Sequence, residues 1–336
     1  MRRNVIVVGA SAGGVEALRE LAAELPPTLP AAVLVVLHVP AYGGSVLPAI
    51  LDRAGALPAA HPSARERLTE SAIRVAPPDQ HLVVVDDHIV TTRGPRENGN
   101  RPAVDVLFRS AARALGPRVI GVVLSGALDD GTAGLAAIAA CGGLTVVQDP
   151  TDALYPGMPE SAIAHVEVDH VATMAQLPEL LVRLCTQDVA GFEAPVSPLF
   201  EVETGLALMD DQAMNEENRP GRPSGFSCPD CNGVLFEIHD SDLTRYRCRV
   251  GHAWSSESLL GEQSTQLDSA LWMALRGLEE KAALARTLRD RALERGNPLS
   301  AARFVRQADD ATRAASTIRA LLESHLGMTG GDTPSV

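Results

Sequence analysis

The amino-acid sequence predicts an α/β protein whose main domain is a doubly wound, mainly parallel sheet covered by helices. Three observations support this prediction: short β-branched apolar runs, helical patterns that alternate with these runs, and a low aromatic content. Hydrophobic residues make up 46% of the 336-residue chain and aromatic residues 3%. The core must therefore consist mostly of Val, Leu, Ile and Ala, which is typical of parallel strands buried beneath helices.

Five apolar runs in the first 186 residues have the length and the flanking Gly or Pro residues of buried strands. They are Val5–Val8, Ala32–Leu37, Leu82–Val85, Val119–Leu124 and Leu144–Val147. Helical patterns follow at Gly13–Leu25, Val104–Leu115, Thr132–Ala140 and Pro159–Ala164. The stretch Leu68–Thr92 differs, because its pattern predicts paired strands with a turn at Pro77–Gln80. Residues 1–186 are thus expected to form one Rossmann-like domain.

The composition changes after residue 186, and four further segments are expected. They are a linker at 187–224, a small cysteine-containing module at 225–255, a helical hairpin at 256–327 and a disordered tail at 328–336. The linker is rich in Pro, Asp, Glu, Asn and Gly. The hairpin is indicated by a leucine face and by the helix-breaking triplet Gly296-Asn297-Pro298. That face contains Leu267, Leu271, Leu275 and Leu278.

The charge of the chain argues against two classes of partner. Its formal net charge is −13 and its pI is near 5.1, so its surface should repel the phosphate backbone of nucleic acids. No apolar stretch approaches the roughly 20 residues of a membrane span. The apolar run Val5–Ala10 is too short for the core of a signal peptide. We therefore expect a cytoplasmic protein that neither binds nucleic acid nor inserts into a membrane.

The first predicted strand runs into Gly9-Ala10-Ser11-Ala12-Gly13-Gly14 and then into a helix. A glycine-rich turn of this kind suits either a dinucleotide pyrophosphate or an exposed nucleophilic serine. Ser11 occupies the place of the middle glycine that close approach of a pyrophosphate requires, which disfavours the nucleotide. A third interpretation is that Ser11 only caps the following helix.

Histidine and aspartate residues follow two other predicted strands. His38 ends the second strand, where a dinucleotide site would have Asp or Glu, although a lone His at this place can also be a core residue. Asp129 and Asp130 follow the strand Val119–Leu124. The carboxyl ends of parallel strands meet at one edge of a sheet, where ligand sites form. Ser11, His38 and one of these aspartates therefore form a candidate catalytic triad.

The chain resembles the catalytic domain of CheB, the chemotaxis protein-glutamate methylesterase, over about residues 4–185. Six blocks carry the resemblance, in the same order as in the family. They are Gly9–Gly14, Leu37–Pro40, Val75–His81, Arg101–Ser110, Gly121–Gly126 with Asp130–Gly134, and Gln148–Pro150 with Gly157–Pro159.

The resemblance implies that Ser11 is the nucleophile, His38 the general base and Asp130 the aspartate, with Asp129 as its rival. It implies hydrolysis of glutamyl methyl esters, and deamidation of glutamine by the same acyl-enzyme chemistry, without a cofactor for catalysis. The implied substrate is a methylated receptor or another signalling protein. An oxyanion hole of backbone N–H groups is expected to stabilise the tetrahedral intermediate.

Two departures from the family pattern affect this expectation. The family commonly has Gly-Met-Gly where this chain has Gly126-Ala127-Leu128, which can alter specificity. Its members usually carry a receiver domain ahead of the catalytic domain, whereas the first catalytic strand here begins at residue 4. Control is then expected from a separate regulatory protein, or the activity is constitutive. The alternative hypothesis is a catalytically silent scaffold that recruits partners through its C-terminal segments.

The cysteine cluster has the spacing of a structural zinc site. Cys228 and Cys231 form a C-x-x-C pair, and sixteen residues separate Cys231 from Cys248, which His252 follows. Two turns with two ligands each can close a tetrahedral site around Zn²⁺. A module of about 30 residues needs such a staple to fold. His239 is an alternative to His252 as the fourth ligand.

Overall fold

The computed structural model describes residues 1–189, 198–211, 213, 221–240 and 243–329. A seven-stranded sheet with the strand order β10-β9-β8-β1-β2-β5-β3 forms the centre of the α/β domain, and every pair of neighbours in it is parallel. An antiparallel three-stranded sheet, β4-β7-β6, lies in the same part of the chain. The predicted fold class is confirmed.

The strands and helices have the following bounds. The strands of the two N-terminal sheets are β1 (Val5–Ala10), β2 (Ala32–Leu37), β3 (Ala59–Ala60), β4 (Arg65–Arg67), β5 (Ala72–Val75), β6 (His81–Val85), β7 (His88–Thr92), β8 (Val119–Val123), β9 (Leu144–Gln148) and β10 (His170–Ala172). The helices of the same region are α1 (Gly14–Glu24), α2 (Leu47–Ala54), α3 (Val104–Leu115), α4 (Thr132–Ala140), α5 (Gly157–His165) and α6 (Leu177–Cys185). The later elements are α7 (Pro198–Ala207), β11 (Arg222–Ser227), β12 (Val234–Asp240), β13 (Leu243–Cys248), β14 (Ala253–Ser255), α8 (Ser256–Glu294) and α9 (Pro298–Thr329).

The core of the α/β domain lies on both faces of the parallel sheet. Strand β1 is buried along its whole length, and its side chains alternate between two clusters. Ile6 and Val8 pack with α1 and α6 residues, whereas Val5 and Val7 pack with α3 residues. Because parallel strands are covered on both faces, their sequences are continuous apolar runs, and the alternation with polar residues seen in half-exposed strands is missing.

The register of the sheet brings three chain segments to one edge. Ala10 on β1 lies opposite Leu37 on β2, and Gly9 lies opposite Val123 on β8. The segments that follow β1, β2 and β8 therefore leave the sheet side by side. The residues that the sequence predicts to be catalytic are in these three segments.

The pairing predicted across Pro77–Gln80 is wrong. Strand β5 joins the parallel sheet between β2 and β3, and the antiparallel hairpin is β6–β7, with its turn at Asp86-Asp87. The apolar pattern of Ala72–Val75 suits a strand of either sheet. The sequence pattern alone therefore did not show whether this strand pairs with β6 or joins the parallel sheet.

The segment predicted to be a linker contains helix α7 among its described residues, and Glu203 on this helix is fully buried. Strands β11 to β14 follow as an antiparallel four-stranded sheet. Within it, β13 pairs with β12 on one side and with β14 on the other. We refer to residues 221–259, which contain this sheet and the first turn of α8, as the ribbon module.

The chain has two compact units, residues 1–259 and residues 260–336. The described part of the C-terminal unit consists of most of α8 together with α9. Small residues are buried along the seam where these two helices pack together. These residues are Ala282, Ala285, Ala292, Ala301, Ala308, Ala311 and Ala315. Leu275 and Leu322 add larger side chains to the seam, whereas Leu267 of the predicted leucine face is exposed. Helix α9 extends to Thr329, so the disorder predicted for residues 328 and 329 is wrong. The rest of the predicted tail, residues 330–336, lies outside the described part of the chain.

Across the described residues, no helix combines the length and the apolar character needed to cross a membrane.

Candidate active site

Ser11, His38 and Asp130 form a continuous hydrogen-bonded chain at the carboxyl edge of the parallel sheet. The Oγ atom of Ser11 lies 3.1 Å from Nδ1 of His38, and Nε2 of His38 lies 2.7 Å from Oδ2 of Asp130. The His38 side chain is 13% exposed and that of Asp130 is 2% exposed. The base is therefore accessible from one side, while its carboxylate is shielded from water.

Ser11 does not cap helix α1. The residue at the N-cap position is Gly13, which makes no side-chain capping bond, and its φ of 72° favours glycine. A β-carbon at Gly13 would lie 2.7 Å from Oγ of Ser125, and one at Gly126 would lie 3.0 Å from the β-carbon of Ser11. The glycines thus let two loops close around the serine, and the Ser11 hydroxyl points to the histidine.

Asp130 lies at the N-terminus of helix α3. Its Oδ2 accepts a hydrogen bond from the N–H of Val104 at 2.8 Å, and its Oδ1 accepts one from the N–H of Asp105 at 3.1 Å. Burial acts to raise the pKa of Asp130, but the His38 and backbone hydrogen bonds outweigh it and hold this pKa below its ordinary value. The helix N-terminus therefore favours the ionised carboxylate that faces His38.

Asp105 is a second buried carboxyl group beside Asp130. Its Oδ1 accepts hydrogen bonds from the N–H groups of Gly131, at 3.0 Å, and Gly134, at 2.6 Å. Burial, together with the charge of Asp130, raises the pKa of Asp105 to about 8. The two neighbouring carboxyl groups thus have pKa values shifted in opposite directions: the environment of Asp130 favours its ionised form, and that of Asp105 favours its protonated form.

Asn98 joins these two carboxyl groups. Its Nδ2 donates to Oδ2 of Asp105 and to Oδ1 of Asp130, at 3.1 Å in both cases. Asn98 and Gly99 have φ angles of 52° and 73°, and Glu97 and Asn100 exchange two backbone hydrogen bonds around them. This is the geometry of a type I′ turn, which the dipeptide Asn-Gly favours.

Asp129, the neighbour of Asp130, points away from the histidine. Its Oδ1 accepts hydrogen bonds from the hydroxyls of Ser255, at 2.7 Å, and Ser258, at 2.8 Å, in the ribbon module. Burial raises the pKa of Asp129. The two aspartates that the sequence could not distinguish thus have different environments, and Asp130 is the one that lies against His38.

The loops next to the serine carry apolar side chains. Leu154 and Tyr155 belong to the loop after β9, and Leu128 to the loop after β8, and all three are largely exposed. Leu154 contacts the place where a β-carbon at Gly13 would lie. Leu128 has a φ of 61°, an unfavourable value for a residue with a branched side chain, at a position where the family pattern has glycine.

Cys228, Cys231, Cys248 and His252 converge in the ribbon module, with their ligand atoms within 4.8 Å of one another. The Sγ atoms of Cys231 and Cys248 are 3.6 Å apart, and Nδ1 of His252 lies 3.7 Å from Sγ of Cys228. Tetrahedral zinc places two sulfur ligands about 3.8 Å apart, and a sulfur and a nitrogen about 3.6 Å apart. These four residues therefore fit a metal ion of that size. His239, the alternative ligand, is 71% exposed and lies 3.2 Å from Glu237.

Five buried charged residues lie between the α/β domain, α7 and the ribbon module. They are Glu97, Arg109, Glu203, Arg245 and Arg247. Arg109 donates to both Glu97 oxygens at 2.8 Å, and Arg247 donates at 2.8 Å to Glu97 and to Glu203. Although burial opposes their ionisation, these arginines hold the pKa values of Glu97 and Glu203 below the ordinary range.

Sequence reasoning missed Asn98, Asp105 and Glu203 as parts of this region. The Asn98-Gly99 dipeptide was a visible signal for a tight turn, and Asp105 lies within one of the blocks shared with the family. Glu203 gave no signal, because an isolated glutamate in a polar segment is usually on the surface.

Comparisons with known proteins show the family to which the α/β domain belongs. The family model for CheB methylesterase matches residues 6–181. A Leptospira interrogans protein with the provisional name protein-glutamate methylesterase/protein-glutamine glutaminase is 36% identical over 185 residues, which cover 55% of this chain and 96% of that protein. Protein-glutamate methylesterase/protein-glutamine glutaminase 2 of Methanosarcina mazei is 35% identical, and the match covers 54% of this chain and 52% of that protein.

Among solved structures, the CheB methylesterase catalytic domain of Thermotoga maritima is similar. It is 29% identical with a TM-score of 0.52, and the match covers 54% of this chain and 98% of that domain. The match is therefore to nearly the whole catalytic domain. The chain belongs to the CheB methylesterase family, a family of hydrolases.

Proposed function

We propose that this protein is a serine esterase that hydrolyses γ-glutamyl methyl esters on a receptor-like signalling protein and deamidates glutamine at the same site. Ser11 is the nucleophile, His38 the general base and Asp130 the carboxylate that orients the base. The observation that carries the proposal is the chain of hydrogen bonds from Ser11 Oγ through both His38 nitrogens to the buried Asp130, at 3.1 and 2.7 Å.

In the first half-reaction, Ser11 Oγ attacks the ester carbonyl carbon while its proton passes to Nδ1 of His38. The tetrahedral intermediate then collapses, and the methoxy group leaves as methanol with the proton held by His38. In the second half-reaction, His38 removes a proton from water, which attacks the acyl-enzyme and releases glutamate and the free serine. With a glutamine substrate, ammonia leaves in place of methanol.

Asp130 supports both steps by its charge. Because its pKa is depressed, it stays anionic and accepts the Nε2–H bond of His38, which fixes the tautomer with an unprotonated Nδ1 facing Ser11. When Nδ1 takes the serine proton, the same carboxylate stabilises the imidazolium.

The backbone N–H of Ala12 is our candidate for the oxyanion hole, since it follows the nucleophile as in other serine hydrolases. Among the described residues it donates no hydrogen bond, whereas the N–H of Ser11 is bonded to the carbonyl of Ser125 at 3.0 Å. One such donor is worth about 2.7–4 kcal/mol of transition-state stabilisation.

The loops next to Ser11 carry exposed apolar side chains, which suits contact with a protein substrate. Ser11 follows β1 at the carboxyl edge of the sheet, and Leu128, Leu154 and Tyr155 on the loops after β8 and β9 are exposed. An exposed apolar rim is suited to the apolar face of a surface helix that carries the glutamyl side chain. The relatives named above are protein-glutamate methylesterases, which supports a glutamyl ester as the scissile group.

Methanol release from methylated receptor membranes tests the proposal. Wild-type protein should release methanol, whereas Ser11→Ala should release none above background while its circular dichroism stays unchanged. Ser45→Ala is the matched control and should retain activity, because the Ser45 hydroxyl accepts the N–H of Leu47 just before helix α2 and is not part of the Ser11–His38–Asp130 chain. The competing hypothesis is a scaffold without esterase activity. It would be supported if the wild type released no methanol and its Ser11 failed to react with a fluorophosphonate.

We also propose that Cys228, Cys231, Cys248 and His252 bind a structural Zn²⁺, within a ribbon of about residues 225–255 that precedes the hairpin at 256–327. With four protein ligands, the metal has no open position and takes no part in the reaction. All five cysteines are free thiols in the structure, which suits the reducing conditions of the cytoplasm.

Elemental analysis of the purified chain should give one zinc per protein. His252→Ala should lower the zinc content strongly, whereas His239→Ala, an exposed histidine of the same module, should leave it unchanged. Equal zinc content in both variants would contradict the ligand assignment. Co²⁺ substitution gives a second readout, because three thiolates in a tetrahedral site produce intense visible absorption.

A further inference from the structure

Among the described residues, Asn98 is hydrogen-bonded both to Asp130 and to the ribbon module. The amide of Asn98 donates from Nδ2 to Asp130 and to Asp105, at 3.1 Å each. On its other side, Oδ1 of Asn98 accepts the backbone N–H of Ser255 at 2.8 Å. Its own backbone N–H donates to the carbonyl of Ala253, also at 2.8 Å. Strand β14 of the module therefore fixes both the backbone and the side chain of Asn98.

The metal-ligand loop determines where β14 lies. Ala253 directly follows the ligand His252, and its N–H donates to the carbonyl of Arg96 at 3.1 Å. Within the loop, the N–H of Gly251 donates to the carbonyl of Cys248, and that of Cys248 donates to the carbonyl of His252, both at 3.0 Å. A metal that joins Cys248 to His252 would hold this loop, and with it the start of β14.

Two close contacts fix the turn of Asn98 against the module. A β-carbon at Gly99 would lie 3.3 Å from Cη2 of Trp254, a residue buried in the core of the module. A β-carbon at Gly251 would lie 2.8 Å from Cγ of Pro95. Beside these contacts, Arg247 donates to the carbonyl of Gly251 at 2.7 Å and to Glu97. The turn and the metal loop therefore form one packed unit.

Asn98 differs from the other donors to Asp130. The remaining hydrogen bonds of this carboxylate come from His38 and from the N–H groups of Val104 and Asp105, which belong to the α/β domain. Among the described donors, Asn98 is the one that the module holds. It also separates two buried carboxyl groups, which without a donor between them destabilise each other's ionised form.

We infer that Asn98 is a positioning residue through which the metal-bound ribbon module holds Asp130 in line with His38, so that metal occupancy in the ribbon module sets the reactivity of Ser11. This inference rests on the proposed triad and on the proposed zinc site. It assigns to the ribbon module a role in the esterase itself: when the metal loop loosens, β14 no longer holds Asn98, and Asp130 loses one of its fixed donors. The metal acts on the position of the carboxylate and not on the ester.

The test compares the full chain in zinc-loaded and chelated form, using the rate at which a fluorophosphonate labels Ser11. Chelation should slow labelling about 10–100-fold, the usual effect of losing a partner that orients a reactive group. Asn98→Gly, with zinc bound, should slow it by a similar factor, and chelation should then cause little further change. Glycine suits this position because the φ of Asn98 is 52°. Asp86→Gly is the matched control and should respond to chelation as the wild type does, because Asp86 has the same φ of 52° in the exposed turn between β6 and β7.

A second readout is the downfield proton resonance of the His38 Nε2–H···Asp130 hydrogen bond, identified by its loss in Asp130→Asn. It should be sharp in the zinc-loaded wild type, and broadened or absent in the chelated form and in zinc-loaded Asn98→Gly. Equal labelling rates and spectra with and without zinc would overturn the inference, as would an Asn98→Gly variant that keeps the full response to chelation.

The two proposals can fail separately. If the zinc-loaded wild type does not label at all, the proposed esterase is wrong, and the proton resonance alone decides whether the module positions Asp130. If chelation unfolds the whole chain, as circular dichroism would show, zinc-loaded Asn98→Gly decides, because unchanged labelling in that variant overturns the inference.

Discussion

The two sides of His38 are built in different ways. On one side, Ser11, the proposed nucleophile, follows a fully buried apolar strand and is supported by neighbouring strands of one parallel sheet. On the other side, Asp130 is surrounded by polar groups from the turn of Asn98, from the N-terminus of α3 and, through Asn98, from the ribbon module. Aliphatic packing therefore places Ser11, whereas hydrogen bonds and buried charges place Asp130. Such networks are sensitive to the loss of any one member, because the groups left behind are buried without a partner.

The largest effect should come from Asp130→Asn, which keeps the shape of the side chain but removes the charge that faces His38. We expect kcat for ester hydrolysis to fall about 10⁴-fold, as in other triads where the histidine is left in the wrong tautomer. Steady-state assays of methanol release measure this loss.

Asp129→Asn is the matched control. Its Oδ1 can still accept both serine hydroxyls of the module, so that kcat should change less than a few-fold. A loss in Asp129→Asn as large as that in Asp130→Asn would contradict the assignment of the two aspartates.

The next largest effect should come from Glu203→Gln. Three buried guanidinium groups, of Arg109, Arg245 and Arg247, share two carboxylates, and removal of one leaves buried positive charge without a counterion. Breaking a buried ion pair in this way costs about 3–5 kcal/mol of unfolding free energy. Urea denaturation of the wild type and of Glu203→Gln measures this loss of unfolding free energy.

Glu201→Gln on the same helix is the control for that prediction. Glu201 pairs with Arg113, but its side chain is 49% exposed, so the change should cost less than about 1 kcal/mol. Equal costs for the two variants would mean that the buried ions contribute no more than surface pairs do.

A smaller effect should appear in the pH dependence of stability. The pKa of Asp105 is raised to about 8 in the folded chain, above its value of about 3.9 when unfolded. Between these two values the folded state binds more protons, so that stability falls as pH rises, by up to about 1.4 kcal/mol per pH unit. Asp105→Asn lacks this proton. The unfolding free energy of the wild type, minus that of the variant, should therefore fall between pH 5 and pH 7. Parallel curves for the two proteins would show that Asp105 does not titrate as described.

The smallest effect should come from Leu128→Gly on the rim of the site. Leu128 has a φ of 61°, which costs a non-glycine residue about 1–2 kcal/mol, and its side chain is 48% exposed, so little packing is lost. We expect the variant to gain about 1 kcal/mol of unfolding free energy in thermal denaturation. A higher KM of the variant for the protein substrate would mean that the strained Leu128 contributes a side-chain contact to substrate binding. An unchanged KM would argue against Leu128 as part of the rim.

The sequence by itself determined the parallel α/β fold, the strand ends that carry Ser11 and His38, and the clustering of Cys228, Cys231, Cys248 and His252. These features depend on local patterns, since apolar runs, glycine turns and C-x-x-C spacing are each visible within a few residues. The choice between Asp129 and Asp130 came from the family pattern, because adjacent residues at a strand end have the same local signal.

Only the tertiary structure decided what surrounds Asp130. Glu97, Asn98 and Asp105 lie close together in the sequence, but Glu203 and Arg247 come from two later segments of the chain. Each of the five by itself resembles an ordinary surface or turn residue. The partner of a buried charge is set by which distant segments pack together, and no local periodicity encodes that. For the same reason, the segment predicted to be a linker could not be recognised as the source of the buried carboxylate of Glu203.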